Sequence, residues 1–121
     1  MSTALAFIIL AVVHLLPVAP AFSADALVRL YGVAADDTSL LVLLRHRAVL
    51  LAIVGVLCVW AAVSSSARPA ALTAAALNIA SFLAFYALYA SPPGPLRTIA
   101  FVDAFALIPL AFAAWTTFAR P

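Results

Sequence analysis

Four features of this sequence could do chemistry: His14, the triplet Arg45-His46-Arg47, Tyr86 and Asp103. A histidine and a carboxylate can hold or move a proton, arginines fork onto carboxylate or phosphate, and a phenol can donate a hydrogen bond. All four lie in otherwise apolar stretches. A carboxylate at mid-bilayer costs about 2.5–3.5 kcal/mol on insertion scales, so Asp103 needs a partner. Arg45 or Arg47 is the expected one, with a structural ion pair as the plainest role. The same long side chains can instead reach back to the interface. Successive helix residues point about 100° apart, so the triplet cannot face inward as a whole. If His46 faces inward, the arginines flank it toward neighbouring helices or headgroups; if an arginine does, His46 is displaced.

Other chemistries lack their parts. There is no glycine-rich phosphate loop, no G-x-S-x-G and no second carboxylate beside Asp103, so neither an enzyme nor a metal site is expected. Two histidines on separate helices could ligate haem, with arginines near the propionates. Bulky neighbours oppose this: Leu10, Ala11 and Val18 crowd His14, Leu43 and Leu50 crowd His46, and Gly55 lies more than two turns from His46. No cofactor is therefore expected, and a redox subunit contacting quinone or haem is the alternative. A pore would require oligomers.

The elements that must carry these residues follow from composition. The chain has 121 residues, 69% hydrophobic and 8% charged, with a mean hydropathy of +1.26. Soluble domains carry about a quarter charged residues, so a soluble fold is excluded, as is disorder. The charges are six Arg and four Asp, without Lys or Glu, and no basic run exists to bind nucleic acid. The lone Cys58 sits in an apolar run and reads as packing. Crossing a bilayer takes about 20 apolar residues in helix. Spans are predicted at about 4–22, 40–63, 70–90 and 98–118, giving one all-α transmembrane domain built as an up-down four-helix bundle.

The connections agree. Ser64 to Pro69 forms a short polar turn, and Ser91-Pro92-Pro93-Gly94-Pro95 must stop the third span. A short interfacial helix is predicted at about 24–31, capped by Ser23, ended by Gly32, with Asp25 and Arg29 paired and Leu27, Leu30 and Tyr31 on the other face. Asp36 and Asp37 suit the start of the second span. Ala19-Pro20-Ala21 resembles a signal-peptide cleavage site, but no Lys or Arg precedes the first span, so retention is expected. Counting all six arginines puts the termini outside by four to two; treating Arg45 and Arg47 as intramembrane gives a tie, so orientation stays open.

Depth then groups the polar residues. His14 lies about 10 Å, and Asp103 about 8 Å, below the face holding the 23–39 connection, and His46 enters from that face. Tyr86 belongs to the same half, so three helices and the third span's end meet in one polar layer. Pro17 and Pro109 free the carbonyls of Val13 and Phe105 nearby. Elsewhere Asn78 and Ser81 share a face suited to interhelical hydrogen bonds, and Ala76, Ala80 and Ala84 form a stripe allowing close helix approach. Trp60, Trp115, Tyr31 and Tyr89 read as interfacial belts.

Leu30-Tyr31-Gly32-Val33, Asp36-Asp37 and Leu43-Leu44-Arg45-His46-Arg47-Ala48-Val49-Leu50, with His14-Leu15-Leu16-Pro17, Ser81-Phe82-Leu83 and Asp103, carry a resemblance. The chain resembles a group of small bacterial four-span membrane proteins that often go under the name phosphopantetheine adenylyltransferase. That enzyme is a soluble α/β nucleotide-binding protein with an H-x-G-H signature. Here His14 is followed by Leu-Leu-Pro and His46 by Arg-Ala-Val, so its activity is not expected. In outline the chain is also similar to the DoxX-like four-helix membrane proteins, some of which serve quinone-linked oxidoreductases. The resemblance implies the bacterial cytoplasmic membrane. The function expected is non-enzymatic: binding of a small amphiphile, or of a partner subunit or second copy, through the polar layer, with membrane lipid around it.

Overall fold

The computed structural model describes residues 1–34 and 36–119; Arg120, which entered the orientation count, lies outside them. Among the described residues there are five α-helices and no strand. Helix α1 is Thr3–Leu15, α2 Ala24–Tyr31, α3 Thr38–Val63, α4 Arg68–Leu88 and α5 Pro95–Phe118. Four stretches are long and apolar enough to cross a membrane: Thr3–Phe22, Thr38–Val63, Ser65–Leu88 and Pro95–Phe118.

Each start has a local cause. The Ser2 hydroxyl accepts from the Leu5 N–H at 3.2 Å, Ser23 from Ala26 at 3.3 Å, and the Asp37 carboxylate from Leu40 at 3.0 Å, each satisfying an orphan donor of a first turn. Gly32 ends α2 in the left-handed region at φ 67°, with Pro95 packed beside it. Gly94, at φ 91°, turns the chain into Pro95, the first residue of α5.

The first span is not one α-helix. From Leu16 to Phe22 it runs as a 3₁₀ helix. Pro17 and Pro20 each lack an amide, and two such losses one turn apart favour i→i+3 bonding, as in the Ser23 N–H to Pro20 carbonyl bond of 3.1 Å. Pro109 is a single loss, and α5 continues through it.

Helices α1, α3, α4 and α5 form a closed ring of neighbours, in that order, and α2 packs on the 3₁₀ segment, α5 and α3. Small residues predominate on the buried faces of three helices: Ala48, Gly55, Cys58 and Ala61 beside Leu51 on α3, Ala71 and Ala75 beside Leu72 and Ile79 on α4, and Ala100, Ala106 and Ala113 on α5. Larger residues such as Val42, Phe85 and Phe105 point outward. Small residues inside let helix backbones approach, which is how apolar helices associate when lipid is as apolar as they are. At Gly55 the approach is close, since a Cβ there would lie 2.5 Å from Leu15 Cγ.

Four expectations change here. The α4 packing row is Ala71, Leu72, Ala75 and Ile79, whereas Ala80 and Ala84 are exposed and Ala76 half-buried. The alanine stripe was placed one face off, because alanine recurs all round α4. Ser81 is also exposed and donates to the Asn78 carbonyl of its own helix at 3.1 Å, so it makes no bond between helices. In α2, Leu27 and Tyr31 are buried, which removes Tyr31 from the interfacial belt; Trp60, Trp115 and Tyr89 remain exposed. Asp25 and Arg29 are exposed and, among the described residues, do not close to an ion pair.

Candidate functional site

Two polar side chains are fully enclosed by the ring: His14, 1% exposed, and Asp103, 6% exposed. Both sit on buried rows. His14 continues Ala6, Phe7, Leu10 and Ala11 along α1, and Asp103 stands between Ala100 and Ala106 on α5. From α3, Arg47 is half-buried next to the buried Ala48, and its guanidinium acts electrostatically on both His14 and Asp103. It also lies over the Phe82 ring of α4, 5.4 Å from the centroid. Arg47 thus contacts α4 and is a charged neighbour of the polar residues on α1 and α5.

The histidine's tautomer follows from its partner. Nδ1 lies 2.7 Å from the Leu10 carbonyl oxygen. A carbonyl only accepts, so Nδ1 carries a proton and donates. Nε2 is buried with no hydrogen-bond partner. The Val13 carbonyl that Pro17 was expected to offer is not used by the ring.

Asp103 has no such bond. Among the described residues its carboxyl accepts no hydrogen bond and forms no ion pair within 4.0 Å. The expected Asp103–arginine contact is therefore a field acting across a gap. The carboxyl instead lines a cleft of about 200 Å³ between the first span, α2 and α5. Its walls are Val13, Leu16, Pro17, Leu30, Ile99 and Val102, and the only other side chain with a hydroxyl is Thr98. The 3₁₀ stretch makes room here, since Leu16 and Pro17 belong to it. Asp103 has Arg47 as its charged neighbour and an apolar cleft beside it.

The other candidates fall outside this layer. Arg45 and His46 are exposed, and the physical reason is the helix period: with Arg47 on the buried row, its two predecessors rotate off it. His46 does not join His14, so the pair cannot serve as two axial ligands of one haem. Tyr86 is half-buried, but its hydroxyl donates to the Pro92 carbonyl at 2.8 Å and fastens the 89–94 turn. It meets the layer only through its ring, stacked on Phe82 at 6.2 Å between centroids and 14° between planes.

Sequence reasoning missed Phe82 and the cleft walls. The signal for the cleft was Pro17 with Pro20, three apart. Phe82 stood out only within the Ser81-Phe82-Leu83 segment of the resemblance, with nothing to mark it as Arg47's neighbour among eight phenylalanines. No protein-family model, no curated protein and no solved structure matches this chain significantly.

Proposed function

We propose that this chain is a multi-pass protein of the bacterial cytoplasmic membrane, in which the four long helices stand up and down as a bundle, and that it binds a small amphiphile without chemical turnover. The up-down arrangement is supported at both ends of α3 and α4: Arg47 meets Phe82, and the Arg68 Nε–H donates to the Ala61 carbonyl at 3.3 Å. The bacterial assignment rests on the resemblance around Leu43–Leu50.

One observation carries the binding reading: Asp103 is buried without a hydrogen-bond donor and borders an apolar cleft. The carboxyl oxygens open onto that cleft, and a carboxyl in apolar surroundings without a donor costs about 1–3 kcal/mol or more, which a donor on a bound ligand removes. The matching ligand has a hydroxyl-type head against Asp103 and a tail along Val13, Leu16 and Val102. Arg47 is the carboxyl's charged neighbour.

The test is native mass spectrometry of protein purified in mild detergent, with an absorption spectrum of the same sample. The wild type should retain a small amphiphile of defined mass. Val102→Trp, which fills the cleft, should remove it, and Asp103→Leu should lower its occupancy about tenfold or more, as loss of a charge-assisted hydrogen bond implies. A bare wild-type protein, or equal occupancy in all three, would overturn the proposal.

A further inference from the structure

A second groove, on another face, is unconnected with Asp103. It has a volume of about 560 Å³ between α4 and α5, with Leu83, Ala87, Phe101 and Ala104 along its length and Ser91 and Arg97 at its mouth. Arg97 is the third residue of α5, at the end of the span, and Ala104 lies about 10 Å deeper along the helix. The groove therefore runs from the level of headgroups into the level of acyl chains.

The Arg97 guanidinium lies over the Phe101 ring, 5.5 Å from its centroid, as side chains four apart on one helix face do. Among the described residues no carboxylate pairs with it within 4.0 Å. A cation thus stands unneutralised at the mouth of a groove shaped for a chain, beside a first helical turn that has no side-chain cap.

We infer that the α4–α5 groove is a binding site for one anionic phospholipid, its phosphate on Arg97 and Ser91 and its acyl chain along Leu83, Ala87 and Ala104. The guanidinium supplies forked donors to phosphate oxygens, and the lining alanines leave the width of a chain. This inference rests on the membrane placement proposed above and not on the Asp103 cleft.

The test is native mass spectrometry of delipidated protein titrated with phosphatidylglycerol, phosphatidylcholine or inorganic phosphate. Phosphatidylglycerol should bind at one equivalent, about tenfold or more tighter than phosphatidylcholine, and inorganic phosphate should not displace it. Arg97→Gln should abolish the preference. Ala104→Leu, which fills the groove and keeps the charge, should weaken phosphatidylglycerol as well. Arg29→Gln and Asp103→Asn should leave it unchanged, which separates this site from the Asp103 cleft. Equal binding of the two lipids, an Arg97→Gln variant that behaves as wild type, or displacement by inorganic phosphate would overturn the inference. A protein that stays soluble without detergent would instead overturn the membrane placement.

Discussion

At the scale of residues, three side chains from three helices define the interior: His14, Arg47 and Asp103. Their polarity is not shared equally. His14 is tied to its own backbone through Nδ1, whereas Arg47 and Asp103 balance each other across more than the 4.0 Å of a direct ion pair. Removing Arg47 leaves the Asp103 carboxyl without its charged neighbour, and removing both charges removes that mismatch. Arg47→Leu and Asp103→Leu should each destabilise the protein by about 1–3 kcal/mol, and the double variant by less than their sum. Thermal unfolding in detergent reads this; strict additivity would show that the two charges do not interact. The sequence already placed His14 and Asp103 at one depth, because rise per residue is fixed. It could not choose among Arg45, His46 and Arg47, because that choice depends on which face of α3 is buried. The clue was present in Ala48, Gly55, Cys58 and Ala61, whose spacing marks the inner row and carries Arg47 with it. Small size, more than polarity, identifies the inside of such a helix.

At the scale of elements, lipid-length apolar runs and proline-rich breaks are strong local signals, and four stretches long and apolar enough to cross a membrane are present, although the change to 3₁₀ at Leu16 was not anticipated. Facing was much less legible. The long helices are apolar on every side, so no amphipathic stripe orients them, and on α4 the alanine row 76–80–84 pointed to a face that is largely outside. The 3₁₀ stretch of the first span shows a local rule acting twice: one proline bends a helix, and two at this spacing change its hydrogen bonding. Helices α1 and α3 meet closely at Gly55 and Leu15, where a Cβ on residue 55 would lie 2.5 Å from Leu15 Cγ. Alanine at 55 would add about 1 kcal/mol of helix propensity but drives its Cβ into Leu15. Gly55→Ala should therefore destabilise the wild type by about 1–2 kcal/mol and stabilise a Leu15→Ala background by about 1 kcal/mol. Paired melting curves decide it; the same sign in both backgrounds would mean that this crossing is looser than described.

At the scale of the whole molecule, two of the openings around the ring of four helices differ in chemistry. The cleft by Asp103 presents an acceptor set within the apolar span, and the groove by Arg97 presents a cation at its edge. The first is walled in part by Leu16 and Pro17 of the 3₁₀ stretch, and the second lies beside Ser91 and Pro93 of the turn between α4 and α5. Under the proposed function an amphiphile occupies the first opening. Photo-crosslinking in membranes with a long-chain alcohol that carries a diazirine beside its hydroxyl, followed by peptide mapping, tests this. Label is expected on Leu16, Pro17, Ile99 or Val102 and should be lost in Val102→Trp. Label spread over outward residues such as Val42 and Phe105, unchanged by that substitution, would contradict that occupancy.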